Sequence, residues 1–123
     1  MSNLAVAVRN AVSMSSGNTD RIQMLNDRLR QKFIGGRIML TTGVQALDDE
    51  DRRKLLAMVQ NFDQFAPGND PYGEHDFGRV NVGGAGYFWK IEYYDFDLES
   101  ASPDPADETV TTRVITIMRE DEY

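Results

Sequence analysis

The stretch Asn69–Gly78 (NDPYGEHDFG) holds the chain's only histidine together with three carboxylates. Asp70, Glu74, His75 and Asp76 are legitimate donors for Zn, Mn or Fe. The same set could run acid–base hydrolysis, with His75 as a base near neutral pH. Both chemistries need the four side chains to converge. A facial triad needs two histidines, and this chain has one. The chain has no cysteine, which excludes thiolate zinc sites, cysteine nucleophiles and disulfides. No metal or other cofactor is expected.

A structural reading competes with the catalytic one. Asn69 or Asp70 forms an Asx-turn, Pro71 sets φ, and Gly73 permits a positive φ. If Glu74–Asp76 begin a strand, alternation sends Glu74 and Asp76 to one face and His75 to the other. All three meet only in a turn. The enzyme reading therefore stays open but second.

Other chemistries find less support. Gly83–Gly86 (GGAG) precedes a strand, so it lacks the strand–loop–helix setting of a phosphate cradle. The aromatics Phe88, Trp89, Tyr93 and Tyr94 could stack nucleic-acid bases. However, Asp95, Asp97 and Glu99 follow at once, and only Lys90 is basic within that strand. Direct nucleic-acid binding is not expected. Residues 1–60 carry +3 and residues 61–123 carry −10, for a net charge of −7. Such an acidic half attracts basic surfaces. Trp89, Asp95 and Asp97 join Asn69, Asp70, Glu74, His75 and Asp76 as candidate binding residues. If Asp95, Asp97, Glu99, Asp104, Asp107 and Glu108 shared one exposed surface, they could mimic a phosphate backbone.

These residues must be carried by a scaffold. At 123 residues with 41% apolar and 27% charged side chains, the chain is expected to be one globular domain. No apolar run reaches the length of a membrane span, and Arg9 interrupts the mildly apolar start. With no cysteine, this fits a cytoplasmic protein. Residues 1–19 read as a flexible N-terminal arm and 20–123 as the domain. Ile22, Leu25, Leu29 and Phe33 share one helical face, giving a helix over about Asp20–Ile34, stopped by Gly35-Gly36. Arg37–Thr42 reads as a strand. Asp48 caps a second helix over about Asp49–Phe65, closed by Pro67-Gly68. Then the period becomes two: Phe77–Val82, a GGAG hairpin loop, Tyr87–Asp97, an acidic loop, and Thr109–Met118. The order α-β-α-β-β-β predicts an α+β fold: an antiparallel sheet of about four strands with two helices on one face. The other face would show Phe88, Tyr94 or Phe96. An exposed edge, Arg37–Thr42 or Thr109–Met118, could make a homodimer.

Several blocks also carry a family resemblance. NDPYGEHDFG, FWKIEYYD (Phe88–Asp95), SPDPAD (Ser102–Asp107), TRVITIM (Thr112–Met118) and the terminal EY occur in order. LND (Leu25–Asp27) and TTGVQAL (Thr41–Leu47) fit as well. Over about Ile22–Tyr123 the chain resembles the bacterial "domain of unknown function 3768" family. The resemblance implies small single-domain proteins often found on plasmids and other mobile elements, and it implies no activity. The leading expectation is a non-enzymatic interaction protein. Its most concrete form is an inhibitor or accessory factor acting on a basic, nucleic-acid-binding protein partner. The alternative is a small metal-dependent or acid–base hydrolase centred on Asn69–Gly78.

Overall fold

The computed structural model describes residues 12–123, with side chains from Asn18 onward. Helix α1 spans Val12–Lys32. It starts well before Asp20, so Ser13–Thr19 is helical backbone rather than a linker. The rest of the expected arm, residues 1–11, lies outside the described residues. Strand β1 (Arg37–Leu40) follows, then a one-turn helix α2 (Thr42–Gln45) and helix α3 (Asp49–Gln60). Strands β2 (Phe77–Val82), β3 (Ala85–Tyr94) and β4 (Thr112–Arg119) complete the sheet. Short 3-10 turns occupy Glu108–Val110 and Glu120–Glu122.

The α+β class holds, but the sheet is mixed. Its spatial order is β1-β4-β3-β2. β2–β3 and β3–β4 are antiparallel, whereas β1 runs parallel to β4 with Ile38 opposite Ile115. Thr109–Met118 is therefore not an edge, because β4 is paired on both sides. The parallel pair joins strands more than seventy residues apart in sequence, a long-range choice that local periodicity does not encode. The expected strand after Gly36 also ends early. Thr42–Gln45 coils into α2, which buries Val44.

The local signals act where they were read. The Asp48 carboxylate accepts the Asp51 amide at 2.8 Å and caps α3. Gly83 and Gly84 form a two-residue turn with φ of 59° and 82°, values that favour glycine and suit a tight hairpin. On β3, Tyr87, Trp89 and Ile91 point to the helices. They meet Leu29 of α1, Leu55 and Val59 of α3, and Ile115 and Ile117 of β4 in one core. Gly78 lets Trp89 seat there. A Cβ at Gly78 would lie 2.5 Å from the indole Nε1 and 2.8 Å from Phe62 Cζ.

The opposite sheet face is partly covered. Phe88 contacts Phe77 and Tyr123 at ring separations of 5.2 and 5.1 Å. The C-terminal turn is tied back by Glu122, which accepts from Thr41 Oγ1 (2.7 Å) and from the amides of Gly43 and Arg119 (both 2.8 Å). Among the described residues, no helix is long and apolar enough to cross a membrane.

Candidate functional site: a buried polar clasp and an exposed acidic tip

The Asn69–Asp76 segment is a turn, not the start of a strand. Gly73 and His75 both adopt positive φ, 69° and 56°, and β2 begins only at Phe77. Strict alternation therefore does not apply at His75, and the expected split across two faces is corrected. The segment docks on α1. Asn69 braces the preceding turn, donating to Gln64 O and accepting the Ala66 amide. The Asp70 carboxylate accepts the His75 amide at 3.0 Å, which closes the loop. Gln23 of α1 donates to Gly73 O at 2.8 Å.

His75 is held from two sides. Its Nδ1 lies 2.9 Å from Asp27 Oδ1, and its Nε2 lies 3.7 Å from Asp70 Oδ2. A carboxylate only accepts, so Asp27 places the ring proton on Nδ1. The imidazole stacks on Phe65 with ring centres 3.7 Å apart and planes nearly parallel at 5°. Arg30 then sits over both Phe65 and Trp89, at 5.2 and 5.3 Å from the ring centres. This guanidinium is 2% exposed, and Asp27 Oδ1 neutralises it at 3.0 Å. One carboxylate and two aromatic faces thus meet its charge, while its buried Nε–H has no hydrogen-bond partner among the described residues.

A second set of partners holds Glu74. Asn26, fully buried, donates to Glu74 O at 3.0 Å and to Tyr93 Oη at 2.8 Å. Tyr93 donates to Glu74 Oε1 at 2.8 Å. Arg113 of β4 donates to Asn26 Oδ1 at 2.6 Å and to Pro105 O, and its guanidinium lies over the Tyr93 ring. Burial, with Glu74 adding to it, pushes the Tyr93 phenol far up, so it remains a donor. Burial first, then Glu74, raises the Asp76 carboxyl to about 6. Burial also draws Arg113 down.

The motif's residues are therefore brought close, and Asp70, Glu74 and His75 are each committed to an internal partner. Asp70 and His75 meet; Glu74 turns instead to Tyr93. Among the described residues, no three His, Asp or Glu side chains are arranged to hold a metal ion. What this arrangement does is fasten α1 to β3, β4 and the turn. Trp89 is fully buried, so it is a core ring rather than a surface contact. Asn26, Asp27, Arg30 and Arg113 escaped the sequence reading of the site. Their signal was a polar side chain on or beside a buried stripe, as where Arg113 alternates with Ile115 and Ile117 on the inward face of β4.

Asp95 and Asp97 lie in a different environment. Beyond β3 the chain makes a compact loop, closed by the Asp95 amide to Ser100 O (2.9 Å) and by a bridge between Tyr94 and Ala101. Asp97 accepts the Glu99 amide at 2.8 Å. Leu98 is held at φ 65°, a conformation disfavoured for a bulky side chain. The tip displays Phe96, 65% exposed, and Leu98, 37% exposed, among Asp95, Asp97 and Glu99. None of these three acids is in an ion pair among the described residues.

The other acids of the expected mimicry surface are used locally. Asp104 and Asp107 accept the amides of Ala106 and Thr109. Glu108 is drawn down by Arg28, which donates to it at 2.8 Å, with Arg21 at 3.6 Å.

With this geometry in view, the family is decided by one comparison. The model of the family described as "Protein of unknown function (DUF3768)" matches residues 40–122. The chain belongs to that family. The match includes the turn, the tip and Arg113, and it leaves Asn26 and Asp27 outside. It ends at Glu122, the residue that ties the C-terminal turn to Thr41 and Gly43. No curated protein and no solved structure matches the chain.

Proposed function

We propose that this family member is a protein-binding module whose contact point is the Asp95–Ser100 tip. The observation that carries the reading is the exposure of Phe96 and Leu98 amid three carboxylates that lack a basic partner among the described residues. An aromatic anchor inside a polar rim is a common composition of protein interfaces. The carboxylates select a basic partner and speed its approach. The loop's own hydrogen bonds hold the anchors in place, which lowers the ordering cost of binding.

The partner is a protein with a basic surface that offers an apolar pocket. A nucleic-acid-binding protein has such a surface, so the concrete form is an inhibitor or accessory factor acting on one, of the kind mobile elements carry. The hydrolase alternative gains less support, because His75 is held between Asp27 and Asp70 and Glu74 is held by Tyr93.

The test compares the intact chain with Phe96→Ser/Asp97→Lys as bait, in low and in high salt. The intact chain should capture a basic protein that high salt releases and that the double variant fails to capture. If both baits retain the same proteins, the tip is not the contact point.

A further inference from the structure

β1 is an edge strand, and its outer side is unpaired by the sheet. The Thr41 amide donates to Ile117 O at 3.2 Å. Alternation then turns the backbone groups of Ile38 and Leu40 away from β4. The Leu40 carbonyl is capped by Gln45 Nε2 at 2.7 Å; those of Ile38 face outward. Side chains alternate too. Ile38 and Leu40 continue the apolar rows of Ile115 and Ile117, while Arg37 and Met39 lie on the opposite face. Ile38, Met39 and nearby Ile34 are 37%, 53% and 57% exposed. The strand carries no proline; its guards are its length of four residues and the charge of Arg37.

Charge identifies the occupant. Residues 28–47 hold Arg28, Arg30, Lys32 and Arg37 and no acid, in a chain of net charge −7. Arg28 is engaged by Glu108 and Arg30 by Asp27. Lys32 and Arg37 are exposed and in no ion pair among the described residues. Two β1 edges would bring these like charges together, which disfavours a second copy. An acidic strand is attracted. The acids elsewhere on the chain oppose it weakly, since their field is screened beyond about 8 Å in physiological salt.

We propose that β1 is a docking edge for an extended acidic segment of a partner protein, which adds as a fifth strand beside Arg37–Leu40. Main-chain bonds to Ile38 supply affinity. β-Branched residues on one face of the segment extend the row of Ile38 and Leu40, and carboxylates on the other meet Arg37. The edge shares no residue with the Asp95–Ser100 tip, so the two readings fail separately.

The test titrates the isotope-labelled full chain with the blocked peptide Glu-Val-Glu-Val-Glu-Val-Glu and follows amide shifts. Saturable shifts should centre on Ile38 and Leu40. Replacing the central valine by proline, exchanging the peptide's Glu for Lys, or introducing Arg37→Glu should each weaken binding by on the order of tenfold. Asp97→Lys should leave it unchanged. Three results would overturn the proposal: no shift at these amides up to millimolar peptide, equal binding of the proline peptide, or a dimer mass by sedimentation with β1 amides broadened in the absence of peptide. The last assigns the edge to a second copy.

Discussion

The Asn69–Asp76 turn and the Asp95–Ser100 tip are both acidic loops at the ends of strands, and they spend their side chains in opposite ways. In the turn, polar groups are drawn inward and bonded to α1 and β3, and α1 is bonded in turn to β4. In the tip, the backbone is closed on itself while Phe96 and Leu98 stand out among carboxylates. The turn has the more chemically suggestive composition, with its histidine and acids. Its geometry is that of a fastener. The tip looks like an ordinary polar loop in sequence, and its geometry leaves groups available to another molecule. Residue type says what a site could do; whether the residue's partners are internal says whether it is free to do it.

The largest test of this contrast is Asn26→Leu. Asn26 is fully buried and serves three partners: Glu74 O, Tyr93 Oη and Arg113 Nε. Leucine keeps much of the volume and removes one bond from each, leaving Tyr93 its bond to Glu74 and Arg113 its bond to Pro105 O. The expected loss of stability is about 3 kcal/mol, since losing hydrogen bonds to buried polar and charged groups is costly. Urea unfolding should show it as a lower midpoint at an unchanged slope. If the midpoint barely moves, the turn is not a fastener, and its histidine and acids regain their catalytic interest.

A smaller effect should come from Asp76→Asn, and it should depend on pH. Burial and Glu74 raise the Asp76 carboxyl from 3.8 to about 6 in the folded chain. The folded state therefore holds that proton more tightly than the unfolded chain. Protonation favours folding fully below the unfolded value near 4, and the benefit is lost as pH rises through about 6. At pH 7.5 the ionised side chain costs about 1–2 kcal/mol after allowance for its partial exposure. Asparagine removes that cost. Melting curves should show the variant more stable than the parent at pH 7.5 and equal to it near pH 4. A gap of the same size at both values would mean that packing, not charge, separates the two proteins.

The sequence was legible wherever the signal was local. The Asp48 cap, the Gly83-Gly84 turn and the inward row Tyr87, Trp89 and Ile91 are set by neighbours two to four residues away. The parallel pairing of β1 with β4 was not legible, because Ile38 and Ile115 meet across most of the chain. The clasp was half legible. Asp70, Glu74, His75 and Asp76 announced themselves by type. Their partners Asn26, Asp27 and Arg113 come from α1 and β4, where a polar residue among apolar ones was the only cue. The left-handed backbone at His75 then defeated the alternation argument. That conformation depends on Asp70 accepting the His75 amide and Asp27 holding the ring, and neither contact can be read from the motif alone.

The finest division between the two regions concerns Leu98. An exposed leucine at φ 65° is a local cost with no compensating buried contact in the core cluster. A side chain in the left-handed region gives up about 1 kcal/mol, and glycine relieves it while adding entropy to the unfolded chain. Leu98→Gly should therefore leave stability unchanged or raise it by about 0.5 kcal/mol. The same substitution removes one of the tip's two apolar anchors, so capture of the basic partner should fall together with that of the Phe96→Ser/Asp97→Lys protein. A variant that folds as well or better and binds less well separates strain kept for binding from strain incidental to the loop. Paired melting and binding measurements on this one protein decide it: reduced stability with intact binding would place Leu98 with the clasp, as a residue that serves the fold.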